Sequence, residues 1–412
     1  MLSNNDGNII SRNSPAKRVG LTMGMPFFKA REIVDRHGVT WFSSNYPLYG
    51  DMSRRVMDTV SRFVPEQENY SIDEAFVNFG GCDPERLAHE IRETVRRWTG
   101  IPVSVGCGPT KVLAKVANHI AKKNPEHEGV VVLAGDDVDR YLKDFDVADV
   151  WGIGPQYAKF LKSDEEEDYG QRDLWEASGF GRVRQKPKVD TALELKRCSD
   201  AWIRKHLTIK GLRLVWELRG ISCLPLEVFE KPRKGLCCSR SFGRPVTTLE
   251  ELREAIAMHA TRGSEKLRRQ RLAAQHLTVF ISTSRFRQNP EEIYSASASW
   301  RLLLPTSYPP ALVSAALPLL ERVYKPGFVY HKAGVFLTDI VPETEKQQSF
   351  VESADDEKQA RVMRAVDGIN RKYGRYTVRP LAVGFDHGWR MRQQRLSPRY
   401  TTRLDEVLRV RA

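Results

Sequence analysis

The stretch YSIDEAFVNF, Tyr70 to Phe79, sets two adjacent carboxylates, Asp73 and Glu74, between arms of strand-like apolar alternation. As one continuous strand it would point the two acids to opposite faces and drive one toward the core, which is costly for an unpaired charge. As a hairpin, with ENYSI paired to AFVNF, it carries both acids at its tip. Asp-Glu is a poor two-residue turn, since Asn-Gly and Asp-Gly are favoured there. A locally unfavourable pair at a fixed turn points to residues selected by chemistry rather than by folding. Convergent carboxylates suit hard divalent cations, and two Mg2+ ions can activate a hydroxyl while neutralising a triphosphate. A solvated acidic turn is the plainer alternative, and the stretch by itself leaves it open.

Around this hairpin the periodicity is that of a compact α/β unit. Val56, Met57, Val60, Phe63 and Val64 share one face of a helix predicted over 51–64, and Leu87, Ile91, Val95 and Trp98 mark a second. IPVSVGCG from Ile101 alternates like a short strand, a third helix begins near Pro109, and GVVVLAG at 129–135 closes the unit. The third helix carries Lys111, Lys115, Lys122 and Lys123, either as a solvated face or as a cationic one. In DVWGIGPQYAKFLK, Gly152 and Gly154 bracket Ile153 at the head of a helix. That arrangement reads as half of a helix-hairpin-helix, whose backbone amides and helix N-terminus bind a DNA phosphate. Small helices are expected from there to about Gly220. Within them, residues 163–189 run acidic, then glycine-rich, then basic, with no sustained apolar period, which predicts an inserted, mobile loop.

From Cys238 the texture turns β-rich. In HLTVFIS, Leu277, Val279 and Ile281 share one face, while His276, Thr278, Phe280 and Ser282 share the other. Further strands are predicted at 295–304 and 332–340, with helices at 248–267 and 309–324, which makes a separate α+β domain. Residues 231–300 hold 13 Lys/Arg against 6 Asp/Glu, a surface suited to a phosphate backbone, and Arg268, Arg269 and Arg271 form its densest cluster. The 412-residue chain as a whole has 65 Lys/Arg and 52 Asp/Glu, a formal charge of +13, so a polyanion is the natural partner. The six cysteines form no C-x-x-C pair, which excludes a zinc site or disulfide framework of the usual spacing. No apolar run is long enough to span a bilayer and MLSNNDGNIISRN has no signal-peptide core, so the expectation is a soluble, cytoplasmic protein with no membrane partner.

Taken in order, LSNNDGNIISRN, AKRVGLTMGMPFFK, FSSNYPLYGDMSRRVM, YSIDEAF, TKVLAKVANHIAKK, DVWGIG, WIRKHLT, ELRGISCL, CSRSFG, KAGVFLTD and LSPRYTTR span nearly the whole chain and resemble the UmuC-type Y-family DNA polymerases. The resemblance implies an α+β multidomain right hand. Its fingers would occupy 1–44, the palm 45–140, a helix-hairpin-helix thumb 141–230 and an α+β little finger 236–345, with a C-terminal linker and basic tail over 346–412. It implies that Asp73 and Glu74 hold catalytic Mg2+, two ions being expected, and that Lys17 contacts the triphosphate of the incoming dNTP. One of Lys122 and Lys123 would do the same. Gly152, Gly154 and the arginine cluster would meet primer-template DNA.

The same family begins with a strand that supplies a third metal-binding Asp and an aromatic screen against ribonucleotides, and no such strand precedes MLSNNDG. The resemblance therefore implies a palm missing its first strand, by gene-start error or fragmentation, and catalysis severely impaired or lost, because two carboxylates replace a site normally built from three. Two functions stay open at this point: error-prone translesion synthesis in the SOS response, and a catalytically inactive DNA-binding scaffold. The resemblance also implies a UmuD-type dimer, a RecA filament and a sliding clamp as partners. The clamp would be met through Gln347, Phe350 and Val351 of QQSFV.

Overall fold

A computed structural model of the protein describes residues 1–408 apart from 136, 164–186, 230–231, 288, 346–352 and 386. Nearly all of the predicted insertion and the whole of Gln347 to Val351 thus lie outside the described residues. The chain divides into two compact units, one formed by residues 1–45 with 231–398 and the other by 46–230 with 399–412.

The first unit opens with a small block. Strands β1 (Leu2–Asn4) and β2 (Asn8–Ser11) pair antiparallel around a turn in which Asn5 and Asp6 take left-handed backbone angles, φ 53° and 45°. Asn13 caps helix α1 (Ser14–Arg18) by accepting from the Ala16 N–H, and α2 (Phe27–Arg36) follows. Strand β3 (Phe42–Ser43) then returns parallel to β1. Ile9, Ala16, Leu21, Ala30 and Val34 form the core of this block.

In the second unit, α3 (Tyr46–Val60) starts at Tyr46 rather than at the predicted Asp51, because its first turn carries no apolar stripe. The segment from Glu66 is a hairpin of β4 (Glu66–Asn69) and β5 (Ala75–Asn78). Helix α4 (Pro84–Thr99) packs its Leu87, Ile91 and Val95 against Val56, Val60 and Phe63. Strand β6 (Val105–Cys107), α5 (Lys111–Lys123) and β7 (Val130–Val132) form a β-α-β step with parallel strands. Gly106 is what lets β6 lie on α5, since a Cβ there would fall 2.0 Å from the Asn118 amide nitrogen. Among the described residues β4–β5 and β6–β7 remain separate two-stranded pairs. After α6 (Asp137–Lys143) come α7 (Pro155–Lys162), α8 (Ala192–Arg197) and α9 (Asp200–Leu218). The last is broken at Thr208 (φ 65°), so the expected small helices are present as two pieces of one longer element. One core joins α5 through α9, with Leu113, Leu142, Leu161, Leu195 and Leu218 at its centre.

Back in the first unit, β8 (Gly235–Val246), α10 (Leu249–Arg269), β9 (Leu272–Thr283), β10 (Ser295–Thr306), α11 (Pro309–Val323) and β11 (Tyr330–Pro342) build the α+β domain read from the sequence. The sheet runs β10-β9-β11-β8 with antiparallel neighbours. Leu277, Val279, Ile281, Val335 and Leu337 on its inner face pack against the two helices.

The stretch expected to be a linker and a basic tail has a structure of its own. Helix α12 spans Ser353–Tyr373. The segment from Trp389 then lies along the N-terminal block as a strap. Its Arg392 and Gln394 amides donate to Asn5 Oδ1 (2.7 Å) and Asp6 Oδ2 (2.9 Å). Ser43 and Arg395 exchange two hydrogen bonds, and Leu396 bridges parallel to Ser43, adding a short edge beside β3. Asn5 also donates to the Phe242 carbonyl of β8 (2.9 Å), and Trp389 is buried against the Phe242 ring. The left-handed turn at Asn5 and Asp6 therefore ties strap, block and β8 together. Among the described residues no helix is long and apolar enough to cross a membrane.

Candidate active site

The hairpin expected at YSIDEAF is present, and its register, Glu68 opposite Phe76 and Asn69 opposite Ala75, leaves the five residues Tyr70 to Glu74 as the connection. The acids sit at the tip as predicted, but in a longer loop than a two-residue turn, so Asp-Glu is under no demand for positive φ. Ser71 shapes the loop. Its amide donates to the Glu74 carbonyl (3.0 Å), its hydroxyl donates to Asp73 Oδ1 (2.7 Å), and that hydroxyl in turn accepts from the Asp73 amide (3.2 Å). Asp73 is exposed, and among the described residues no protein donor reaches its second carboxylate oxygen.

Glu74 is held by Lys115 of α5, whose ammonium lies 2.7 Å from Oε1 and over the rings of Tyr70 and Phe76. One turn earlier, Lys111 binds Glu68 of β4 and donates to the Pro225 carbonyl (2.8 Å). Their i,i+4 spacing puts both lysines on the face of α5 that meets the hairpin. Sequence reasoning placed them on the helix but missed this role. The spacing could have revealed the shared face, though not what it faces. Buried Glu217 was also missed. It accepts from the amides of Val112, Cys223 and Leu224, so it fixes the start of α5 from α9.

At the other end of α5, the two lysines left unresolved by the sequence differ. Lys123 is paired with Asp149 (3.2 Å), which also faces His119 (3.4 Å). Burial, reinforced by Lys123, holds the His119 imidazole below its usual pKa. Lys122 is exposed and meets no carboxylate among the described residues. The glycines of DVWGIG differ too. Gly152 is required by the fold, with φ 97° and only 2.7 Å from an added Cβ to the Leu214 side chain. Gly154 caps α7 at an ordinary φ of −82°, and an added Cβ would meet nothing. Between the two elements, Trp151 donates to the Tyr70 hydroxyl (3.3 Å), and Tyr70, Phe76 and Trp151 pack edge-on or tilted with ring centres 5.5–5.6 Å apart. The carboxylate tip and the glycine turn are thereby joined.

Lys17 is exposed in α1, within the other unit. The arginine cluster is not the uniform free surface that was expected. Arg268 turns inward, making two 2.8 Å bonds to Asp367 of α12 and a third to the Ser307 carbonyl, because α12 supplies an acid from the stretch that the resemblance had given to a linker and tail. Arg269 is paired with Glu265 (2.9 Å), and Arg271 is exposed at a left-handed turn with φ 53°.

Among the described residues no three His, Cys, Asp or Glu side chains converge into a ready-made metal cage. Asp73 and Glu74 fit the share that a protein gives to Mg2+ when phosphates and water complete its shell. A site of this kind, two adjacent acids beside lysines and a glycine turn, suits a phosphorylated substrate.

Comparison with known proteins agrees. Residues 1–119 match the impB/mucB/samB family, 233–350 match that family's C-terminal domain, and 360–410 match a domain of unknown function. The chain is 40% identical to the protein UmuC of Salmonella typhimurium strain LT2 over 100% of its own length and 93% of that protein's. It is 37% identical to SamB of Salmonella typhimurium, covering 99% and 92%. Identity to a DNA polymerase IV of Desulfatibacillum aliphaticivorans is 24% over 93% and 89% of the two chains. Among solved structures, a Y-family DNA polymerase chimera superposes with a TM-score of 0.58 at 20% identity, covering 81% of this chain and 88% of the chimera, which shows a shared fold. The chain belongs to the UmuC-type Y-family DNA polymerases, the enzymes of error-prone translesion DNA synthesis.

Proposed function

We propose that this chain transfers a nucleotide from a dNTP to a primer 3′-hydroxyl on template DNA at the hairpin tip, with Asp73 and Glu74 as the carboxylates that hold two Mg2+ ions. The observation that carries the reading is the Tyr70–Glu74 loop, in which Ser71 orients an exposed Asp73 while Lys115 steadies Glu74. When bound, Mg2+ would promote ionisation of the primer hydroxyl and neutralise charge on the triphosphate. The ammonium of Lys122, unlike that of Lys123, is left to a substrate phosphate. Lys17 is proposed to serve the same triphosphate from the N-terminal block.

The amides around Gly154 and the N-terminus of α7 are proposed to hold a DNA phosphate, helped by Gly152, which shapes the turn. The basic C-terminal domain, with Arg271 and, more weakly, the paired Arg268 and Arg269, would add sequence-independent affinity. A sliding clamp docking on Gln347, Phe350 and Val351, a UmuD-type dimer and a RecA filament are the protein partners that family membership suggests, at the bacterial nucleoid in the cytoplasm. Asp73→Asn tests the reading. It should bind primer-template DNA like the parent in fluorescence anisotropy yet lose Mg2+-dependent single-turnover extension. Retained extension would refute the assignment of Asp73.

A further inference from the structure

The domain of unknown function closes a cavity. Helix α12 and the loop after it lie against the C-terminal half of α10 and the start of α11, enclosing about 320 Å³. Its walls combine an apolar floor, including Val362, Met363, Val366 and Tyr376, with the guanidinium groups of Arg268, Arg269, Arg371, Arg375 and Arg379. Among the described residues two carboxylates line it, and each is already engaged: Asp367 by Arg268 at 2.8 Å, and Glu265 by Arg269 at 2.9 Å with Arg375 at 3.9 Å. Arg379 stacks on exposed Phe385, 4.6 Å from its ring centre. Arg371 is exposed and meets no carboxylate among the described residues. The wall formed by the loop is fixed, because Asn370 exchanges two 2.9 Å hydrogen bonds with the backbone of Val378.

We propose that this cavity is a docking site for an acidic peptide segment of a partner protein, one that inserts an apolar side chain onto the Val362–Val366 floor and sets flanking carboxylates against Arg371 and Arg375. Among the described residues, five guanidinium groups against two carboxylates leave a surplus of three positive charges, which calls for an anionic occupant. Arginine forks bind carboxylates bidentately, and such charge-assisted bonds are the strong ones. The apolar floor decides between anions. A nucleic-acid backbone would gain nothing from Val362, Met363 and Val366, whereas an apolar side chain flanked by Asp or Glu satisfies both walls. The volume is at the small end for a ligand pocket, enough for an anchor of one or two side chains.

The test uses the full chain and a synthetic array of short peptides drawn from Asp, Glu, Leu, Phe and Val, with a matched array carrying Asn and Gln for the acids. The acidic, apolar-anchored peptides should be retained, and their amide counterparts lost. For the retained peptides, Arg371→Glu and Val362→Asp should each weaken binding about tenfold, as expected for losing one charge-assisted contact or the anchor. Both residues are exposed, so the variants keep the fold, which their circular dichroism checks. Failure of the parent to retain any acidic peptide over its amide form overturns the proposal. So does equal retention by parent and variants, or single-stranded DNA bound with the same dependence on Arg371 and displacing the peptides, which would make the cavity a nucleic-acid contact.

Discussion

At the scale of single residues, the site rests on side chains that differ from near neighbours in what they touch. Lys122→Ala should raise the KM for dNTP about tenfold, the worth of one charge-assisted contact to phosphate, while Lys123→Ala should change it little because Asp149 already holds that ammonium. Steady-state insertion kinetics separate the two, and the reverse ranking would exchange their roles. A similar contrast holds for the glycines. Gly154→Ala, at an unstrained φ with open space, should leave thermal stability unchanged but weaken DNA binding, whereas Gly152→Ala should destabilise the fold by ~1–3 kcal/mol. Differential scanning calorimetry beside anisotropy reads both. The place of the two acids at the hairpin tip was legible from the strand-like arms on either side, although the five-residue connection means that no turn rule is broken there. Lys115 was not, since a helical lysine announces its face but not the hairpin that faces it.

At the scale of elements, the period of the apolar residues located β9, β10, β11 and their two helices, while β8 was signalled only by a β-rich texture from Cys238, and the hairpin arms were found without the length of the connection. What escaped was every interaction between elements distant in the chain. The strap is the clearest case: its polar, basic residues have no period, and its partners Asn5, Asp6 and Ser43 lie at the far end of the sequence. Asp6→Ala removes an acceptor shared by Ser3, Ser43 and the Gln394 amide, and should cost about 1–3 kcal/mol of local stability. Hydrogen exchange at Gln394 and Arg395 should quicken accordingly, with unchanged protection arguing against a fastened strap. Helix α10 carries a second test in His259, which is almost fully buried, its pKa pushed down to about 3 by burial and then by Arg240, Arg262 and Lys266. The fold prefers its neutral form, so the stabilisation is complete above the unfolded value of 6.5 and is lost as pH falls toward 3. Across that window the first unit should lose up to ~1.4 kcal/mol per pH unit, and His259→Gln should flatten the dependence.

At the scale of the whole molecule, a net charge of +13 calls for affinity to primer-template DNA that falls steeply with salt and discriminates little among sequences. Arg271→Ala should flatten that dependence. Arg268→Ala should instead lower thermal stability, by roughly 2 kcal/mol, since its bonds to Asp367 and Ser307 hold α12 in place. The fold class was readable because ordered motifs span the chain. The grouping of residues 1–45 with 231–398 was not, as nothing local in either segment names the other. Nucleotidyl transfer in translesion synthesis is proposed to take place at the Tyr70–Glu74 loop. Its most direct measurement is single-nucleotide insertion opposite an abasic site, at saturating primer-template DNA, by the parent and by Asp73→Ala. Slow, Mg2+-dependent insertion by the parent, at least about a hundredfold reduced in the variant, is the result expected; equal insertion by both, or none by a parent that binds the DNA, contradicts it.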